Sequence, residues 1–469
     1  MAWEIVMGLE VHAELSTKSK IFCGCSTAFG AEPNTHVCPV CAGMPGSLPK
    51  LNRDVVEYAM RLGLALGCEI TCDCKFDRKN YFYPDLPKAY QVSQLYAPIC
   101  RDGCMEIGSK RIRIREIHME EDAGKLIHTP WSGTSMDFSR CGVPLLEIVT
   151  QPDFSCAEEV LAYLEQLRET LLYLGICDCK MQEGSLRCDV NLSVRQPGGI
   201  LGTRTETKNL NSFKAIGRAI AYEAARQIAV LEQGGQVLQE TRRWDDDAGK
   251  SHGMRSKEDA QDYRYFPEPD LLPIHIDEDW LARIRESLPE LAQQKRERYI
   301  CEYGLPERET LALTGHKNIS DLFESIVMQG GEPREAAHLI TGEIMRLMNS
   351  TGTLPEDLAL DARKLAQLIG LILDSKINRN AYKQTIEAIY MHNVEPEDYV
   401  RVNGLRMVGD NSAVAAAVEA ALAENPNAVS DFHIGQVKAF GFLMGQAMRR
   451  LGKAGDPEAV QKILTDRLK

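Results

Sequence analysis

The stretch His118-Met119-Glu120-Glu121-Asp122-Ala123-Gly124-Lys125 follows a basic, alternating run, Lys110-Arg111-Ile112-Arg113-Ile114-Arg115, that is typical of a β-strand. Three successive acidic residues at a strand end repel one another unless solvent, a cation or a metal ion neutralises them. One interpretation is a solvated surface turn, and the other is a metal-binding strand end. The choice depends on which other side chains converge on the same place.

The alternation of apolar residues in this strand slips by one position near Arg115 or Glu116. An inserted residue of this kind predicts a β-bulge, which re-aims the side chains that follow it. We therefore expect His118 and Glu120 to share one face of the strand. We also expect Glu121 to reach the same site, because the chain turns at that residue.

A second strand-like stretch, from Val6 to Leu15, alternates apolar and polar residues and places Glu10, His12 and Glu14 on one face. Residues i and i+2 of a strand lie roughly 6.5–7 Å apart, because each residue rises about 3.3 Å. Glu10 and His12 can therefore flank a single ion. The alternative is a half-exposed edge strand with a polar outer face.

A hairpin further along the chain supplies more polar side chains. The alternating run Asp189–Arg195 and the run Arg204–Lys208 flank a Pro-Gly-Gly turn, which predicts an antiparallel pair of strands. This pairing brings Asp189 close to Glu206 and Lys208. Ser212 or the preceding Asn211 then caps a long predicted helix.

Glu147 interrupts an otherwise apolar run, and a lone carboxylate is costly to bury there unless it is paired or bound to metal. The candidate metal ligands are then Glu10, His12, Glu120, Glu121, Glu147 and Glu206. Five carboxylates and one imidazole suit Mg²⁺ or Mn²⁺. Such a set fits metal-assisted phosphoryl transfer, in which ions bridge nucleotide phosphates and basic residues orient the substrate.

Four cysteines, Cys23, Cys25, Cys38 and Cys41, form the pattern C-x-C-x12-C-x2-C. Two close thiol pairs separated by a short loop are typical of a closed, tetrahedral zinc site, so the spacing predicts a structural Zn²⁺. The alternative is a set of free thiols.

The turn-rich segment from Asp77 to Lys88 interleaves cations, aromatic rings and prolines. Aromatic rings can stack on a base while a lysine meets a phosphate, although an aromatic-anchored loop is an equal alternative. The candidate nucleotide-binding residues of the whole chain are Lys79, Tyr81, Tyr83, Lys88, Arg140, Asp189 and Lys208.

Composition limits the class of protein. The chain has 469 residues, a net charge of -13 and fifteen cysteines. Its first residues lack the basic and apolar pattern of a signal peptide, and no apolar run is long enough to span a bilayer. We therefore expect a cytoplasmic protein with no membrane partner. The negative charge argues against a broad, non-specific nucleic-acid binder. Phosphate-loop and dinucleotide-binding glycine motifs are absent from the sequence.

Helical patterns dominate the chain beyond Pro289. Helices are expected at Leu291–Tyr303, Ser320–Gln329, Arg334–Ser350, Ala362–Ser375, Ser412–Glu424 and Ile434–Leu451. The segment from Ser430 to Lys469 is basic, which makes it a candidate contact for an RNA backbone. A solvated helix face is the alternative.

The chain resembles the B subunits of bacterial tRNA-dependent amidotransferases, the GatB/GatE family. The resemblance runs essentially end to end, and several long blocks follow in one order. These blocks are Gly8–His12, Phe76–Asp85, His118–Gly124, Gly142–Val149, Glu183–Asp189, Lys208–Ser212 and Asp262–Asp270. Ser139 departs from the asparagine expected at that position of the family. The zinc prediction rests on spacing alone, since the four cysteines are not shared by all members.

The resemblance implies an α+β architecture in three parts. Residues 1–290 would form a cradle-like catalytic domain related to the glutamine synthetase fold, with the four cysteines as a zinc knuckle. Residues 291–397 would form a helical domain, and residues 398–469 a small, YqeY-like helical tail domain. Both helical parts are expected to contact tRNA.

The implied reaction uses ATP and Mg²⁺ to phosphorylate the side-chain carboxylate of misacylated Glu-tRNA(Gln) or Asp-tRNA(Asn). Ammonia from a glutaminase A subunit then displaces phosphate, within a heterotrimer that includes a small C subunit. In that family the six candidate metal ligands occupy the metal-binding positions. Two alternatives stay open: a non-catalytic, zinc-stapled tRNA-binding scaffold, and a stand-alone ligase that joins a small carboxylate to an amine.

Overall fold

The computed structural model describes residues 3–129, 133–256, 263–407, 411–451 and 457–468. Asp262, with which the last block of the family resemblance begins, lies outside them, as do Lys453 and Lys469 of the basic segment. The chain divides into two compact units, Met1–Leu291 and Ala292–Lys469. In the described ranges, no helix has both the length and the apolar character needed to cross a membrane.

The first unit contains all the described strands. They are β1 (Glu4–Glu14), β2 (Glu69–Ile70), β3 (Asp73–Cys74), β4 (Asp77–Asn80), β5 (Tyr90–Ser93), β6 (Cys100–Ile107), β7 (Lys110–Glu121), β8 (Lys125–Thr129), β9 (Gly133–Asp137), β10 (Pro144–Thr150), β11 (Leu186–Arg195), β12 (Thr205–Lys208), β13 (Glu240–Asp245), β14 (Lys250–Ser256), β15 (Phe266–Pro267) and β16 (Ile274–His275). Its helices are α1 (Arg53–Ala65), α2 (Ala157–Leu174), α3 (Phe213–Glu232) and α4 (Glu278–Glu286).

Nine strands form one sheet in the order β14-β13-β12-β11-β1-β10-β7-β6-β2. The predicted hairpin is present, since β11 pairs antiparallel with β12 and Asn191 lies opposite Glu206. The pair β12–β13 is the parallel one in this sheet. Strand β1 lies in the interior of the sheet, between β11 and β10, so the alternative of an edge strand is wrong.

The predicted bulge in β7 is confirmed. Glu116 pairs with Val149 of β10, whereas the next pair joins Ile114 to Thr150, so Arg115 is the extra residue. Beyond this bulge, the register brings His118 opposite Glu147. The bulge thus sets which face of the sheet receives the following side chains.

One face of the sheet is apolar and is covered by α1, α2 and α3, which pack on it in a single core. Helix α3 begins after Ser212, whose Oγ accepts from the backbone N–H of Ala215, as the sequence predicted. Helix α2 ends at Gly175, which has a left-handed φ of 68°. The helices leave the other sheet face to polar side chains.

The second unit is helical in its described part. Its helices are α5 (Ala292–Tyr303), α6 (Glu307–Thr314), α7 (Lys317–Met328), α8 (Pro333–His338), α9 (Met345–Thr351), α10 (Ala362–Leu373), α11 (Arg379–His392), α12 (Pro396–Val402), α13 (Asn411–Glu424), α14 (Pro426–His433), α15 (Val437–Leu451) and α16 (Pro457–Leu468). The single helix expected over Arg334–Ser350 is interrupted by a π-helical segment, Leu339–Ile344. Separate cores occupy α5–α12 and α13–α16.

Candidate functional site

The polar face of the large sheet collects acidic side chains from adjacent strands. Glu10 of β1 lies opposite Asp189 of β11, and His12 lies opposite Glu147 of β10. Glu120 follows on β7, opposite Leu145. Directly opposed residues point to the same side of a sheet, so the register alone brings these groups together.

On this face, the described residues include two groups with the geometry of a metal site, with ligand atoms within 4.8 Å of one another in each. The first comprises His12, Glu120 and Glu147, and the second comprises Glu10, Asp189 and Glu206. Five of the six sequence-predicted ligands thus fall into one group or the other. Asp189, predicted as a nucleotide contact, lies among the carboxylates.

The first group is strained electrostatically. Burial raises the pKa of Glu147 well above its usual value, and the charges of Glu120 and Glu10 raise it further. Burial opposes ionisation of Glu120 as well, but Lys79 and His12 hold the pKa of that carboxyl below its usual value. Burial also lowers the pKa of His12. A bound cation would relieve the repulsion between the two carboxylates.

The second group already has a cation. The Lys208 ammonium lies 2.9 Å from Glu206 and also contacts Asp189. Despite burial, these two carboxylates raise the pKa of Lys208 above its usual value. Glu10 instead accepts a hydrogen bond of 3.0 Å from Asn191. The first group is therefore the stronger candidate for a metal ion.

Several side chains that orient the acids were missed in the sequence. Ser93 Oγ donates to Glu120 Oε1, and Gln91 Nε2 donates to the other oxygen at 3.3 Å. Thr241 of β13 donates to Glu206 at 2.8 Å. These residues lie on short or charged strands without a clear alternation, so no sequence signal distinguished them.

Glu121 does not join the site, and the expectation that it would is wrong. Its carboxylate forms an ion pair with Lys88 and accepts a hydrogen bond of 2.8 Å from the backbone N–H of Val92. The reason is strand geometry: β7 continues through Glu121, so this side chain points away from Glu120. His118 shares the face of Glu120 as expected, but its Nδ1 contacts the carbonyl of Gln94.

A cavity of about 980 Å³ opens on the polar face. Its lining includes most of the predicted nucleotide-binding residues: Lys79, Tyr81, Tyr83, Asp189 and Lys208. Lys88 instead borders a smaller cavity of about 150 Å³ with Glu121. Arg140 donates to the carbonyl oxygens of Ala123 and Gly124, so its role as a direct nucleotide contact lacks geometric support.

The wall formed by the end of β7 carries a buried acid–base cluster. Arg187 lies 2.7 Å from Asp122, and Arg140 lies 3.4 Å from the same carboxylate. Burial and the charge of Asp122 raise the pKa of Glu14 to about 8. Arg187 and Asp122 both line the cavity, which gives it one guanidinium group beside its acids.

Aromatic rings line another part of the cavity. Lys79 Nζ lies 5.0 Å from the ring centroid of Tyr263 and 5.7 Å from that of Tyr81. Phe82 is 80% exposed and Tyr83 is 51% exposed, although both belong to the cavity lining. Exposed rings of this kind are available to stack on a ligand.

The four cysteines predicted as zinc ligands, hereafter the cysteine knuckle, lie together within 4.8 Å. The backbone N–H of Cys38 donates to Cys41 Sγ at 3.2 Å. A hydrogen bond from Cys23 lowers the pKa of Cys41 to about 4. Burial raises the pKa of Cys25 to about 11. The cluster thus favours at least one thiolate.

Comparison with known proteins agrees with this architecture. The GatB/GatE catalytic domain family matches residues 5–282, and a second family, described as the GatB domain, matches residues 321–468. The B subunit of the aspartyl/glutamyl-tRNA(Asn/Gln) amidotransferase of Lachnoclostridium phytofermentans is 55% identical over 99% of both chains. B subunits of the same name from Caldicellulosiruptor bescii and Thermoanaerobacter sp. are 52% and 50% identical, over at least 99% of both chains. The chain therefore belongs to the GatB/GatE family of amidotransferase B subunits.

Proposed function

We propose that this chain catalyses the ATP-dependent amidation of misacylated Glu-tRNA(Gln), Asp-tRNA(Asn) or both. The side-chain carboxylate of the misacylated residue is first phosphorylated. Ammonia then displaces phosphate and gives Gln-tRNA(Gln) or Asn-tRNA(Asn). The observation that carries this proposal is the convergence of two metal-competent acidic groups in one cavity of a chain from this family.

The chemistry explains why such a site is needed. A carboxylate is a poor acylating agent at neutral pH, because an attacking amine would have to expel oxide. Phosphorylation creates a leaving group, and the resulting acyl phosphate must be kept from water. ATP and its acceptor are both anionic, so an acidic cavity without cations would repel them.

The residues of the first group fit Mg²⁺ or Mn²⁺ by their donor set, two carboxylates and one imidazole on rigid neighbouring strands. When bound, the metal supplies charge neutralisation for the nucleotide phosphates and the acceptor. Glu147, Glu120 and His12 would hold it, and Ser93 keeps Glu120 in place. Glu10, Asp189 and Glu206 would take a second ion if Lys208 moved aside.

The other lining residues bind and orient substrates. Lys79 and Arg187 present positive charge to phosphate or to the acceptor carboxylate. Tyr81, Tyr83 and the exposed Phe82 offer rings for a base. Lys88, Glu121 and Arg140 support the surrounding loops in the present geometry, and they are not assigned to nucleotide binding.

We further propose the family's organisation for this chain. Residues 1–290 act as a cradle-like catalytic domain related to the glutamine synthetase fold, with Zn²⁺ in the cysteine knuckle. Residues 291–397 and 398–469 act as helical and tail domains that contact tRNA. The partners are the glutaminase A subunit, which releases ammonia from glutamine, and the small C subunit. The name shared by the relatives, which denotes one subunit of an amidotransferase, supports this assembly.

The deciding experiment measures amidated aminoacyl-tRNA by thin-layer chromatography, with each misacylated tRNA in turn and the reconstituted complex. Glu120→Gln is expected to abolish acyl-phosphate formation while tRNA binding survives. Glu106→Gln, an exposed acid on neighbouring β6, is the matched control. Undiminished turnover in Glu120→Gln would refute the metal assignment, and tRNA binding without ATP hydrolysis in the unmodified chain would favour the scaffold alternative.

A further inference from the structure

Lys20 is a buried lysine beside the cysteine knuckle. Its side chain is fully inaccessible, and its Nζ donates to the carbonyl oxygen of His36 at 2.6 Å. The same nitrogen lies 3.6 Å from Cys41 Sγ and 3.5 Å from the carbonyl oxygen of Phe138. An ammonium group at this depth has lost its hydration, so its charge requires a partner inside the protein.

The contacts of Lys20 show which group can supply the compensating negative charge. Within the described ranges, the polar groups that it meets are two carbonyl oxygens and one sulfur atom, and none is a carboxylate. Carbonyl dipoles only partly replace the water that a cation loses. Among the groups that Lys20 Nζ contacts in the described residues, Cys41 is the one that can become an anion, as a thiolate. Neutral thiols in the knuckle would leave Lys20 without a counterion.

With zinc bound, the cysteine knuckle carries a net negative charge and requires a positive charge nearby. Four thiolates around one Zn²⁺ form a dianion, which is costly to bury without compensation. We infer that Lys20 is a positioning residue of the knuckle, whose ammonium group compensates part of this charge and thereby strengthens zinc binding. The inference rests on the zinc site proposed above, and it adds to that site a fifth residue that the ligand spacing does not reveal.

Lys20 also links the knuckle to the catalytic sheet. Its backbone N–H donates to the carbonyl oxygen of Cys25 at 3.0 Å. The backbone N–H of Ile21 donates to the carbonyl oxygen of Gly142 at 2.9 Å. A Cβ on Gly142 would lie 3.7 Å from Lys20 Cδ, so the lysine stem packs directly against that glycine. Gly142 precedes β10, which carries Glu147. Zinc binding is therefore expected to make the segment that leads from Gly142 into β10 more rigid.

The test compares the full chain with three variants. Lys20→Met removes the charge and keeps an unbranched side chain that is one atom shorter, whereas Lys20→Arg keeps the charge. Lys18→Met changes an exposed lysine two residues away and serves as the matched control. Zinc affinity is measured by competition with a chromogenic chelator under reducing conditions. We expect affinity to fall about 10–100-fold in Lys20→Met, and to stay unchanged in the control.

Measuring the stability of Lys20→Met with and without zinc distinguishes a role of Lys20 in charge compensation from a role in packing alone. In the metal-free protein, Lys20→Met should cost less stability than it does with zinc bound, because the ammonium group then faces at most one thiolate instead of a dianionic zinc site. With zinc bound, the variant should be less stable than the unmodified chain. In the Co²⁺-loaded protein, the thiolate-to-metal charge-transfer band should move to lower energy. Equal loss of stability in both metal states would overturn the inference.

The remaining outcomes are also decisive. If the unmodified chain purified under reducing conditions holds no stoichiometric zinc, the zinc proposal fails and the Lys20 inference fails with it. If the chain holds zinc and Lys20→Met binds it equally well, only the Lys20 inference fails. Should Lys20→Met not fold, Lys20→Arg decides: near-normal zinc affinity supports the inference, and a loss as large as tenfold overturns it.

Discussion

Glu147 lies on β10 in the interior of the sheet, among apolar neighbours on its own strand. His12 Nε2 lies 4.0 Å from its carboxylate. Burial, then Glu120 and Glu10, make its ionised form unfavourable and raise its pKa. A carboxyl in this position lowers stability unless a cation is present, which is a common trade-off at functional sites.

We therefore expect Glu147→Gln to separate stability from activity. In metal-free protein, the variant should gain about 1–2 kcal/mol in unfolding free energy at pH 8. Because the folded-state pKa is raised, the ionisation penalty is absent below the unfolded pKa of about 4.5 and grows as pH rises. The gain should thus vanish near pH 4. Urea unfolding across this pH range measures it.

Amidation should fall by about 100-fold or more in the same variant, which corresponds to about 2.7 kcal/mol of lost transition-state stabilisation. Glu106→Gln again serves as the control for a carboxylate lost from the exposed surface. Full amidation activity in Glu147→Gln would contradict the role assigned to Glu147, whatever its effect on stability.

At the scale of elements, the bulge in β7 is held by a residue that follows β10. Asp153 accepts hydrogen bonds from the backbone N–H of Arg113 at 3.0 Å and from its guanidinium group at 2.6 and 3.0 Å. The N–H of Gln151 donates to the Arg113 carbonyl at 2.9 Å. These contacts fix the strand just before the extra residue, Arg115.

We expect Asp153→Asn to loosen this arrangement and to cost about 0.5–1 kcal/mol at pH 7, since solvent screens the ion pair with the largely exposed Arg113. The hydrogen bonds from Arg113 lower the pKa of Asp153. A lowered folded-state pKa gives stability that is present above the unfolded pKa of about 4 and is lost as pH falls through the folded value. Urea midpoints of the variant and the unmodified chain should therefore converge in acid. A constant difference at all pH values would contradict this assignment.

Other elements show where sequence patterns failed. The hairpin β11–β12 was predictable, because alternation and a Pro-Gly-Gly turn are local signals. Strand β13 is highly charged and was not predicted. Its Arg242 lies 3.3 Å from Glu223 of α3 and donates to Ser251 of β14, so the charge of this strand is neutralised by partners outside it.

At the scale of the molecule, the core of the sheet unit and the two helical cores are built from separate sets of buried residues. The boundary between the compact units falls at Leu291, where the helical patterns begin. Each of the two compact units has a hydrophobic core of its own, which is a property of domains that can fold independently. Because the cores are separate, the proposed catalytic role of the first unit and the proposed tRNA binding of the second can be tested independently.

We expect a fragment of residues 1–291, with the partner subunits, to fold and to retain ATP binding. Its KM for tRNA should rise about tenfold or more, equivalent to about 1.4 kcal/mol of lost binding, because the tRNA contacts proposed for the helical domains would be missing. Calorimetry tests folding, and amidation at varied tRNA concentration tests the KM. An unchanged KM for tRNA would favour the alternative of a stand-alone ligase.

The sequence by itself determined the family, the alternating strands, the bulge near Arg115 and the spacing of the cysteine knuckle. Local periodicity and turn residues carry that information, because strand faces repeat every two residues. Only the tertiary structure decided which acids meet. Glu120 and Glu121 are adjacent in the opening stretch, yet one joins His12 and Glu147 while the other pairs with Lys88. Strand register and the direction of the chain at Glu121 separate them, and both depend on partners distant in sequence.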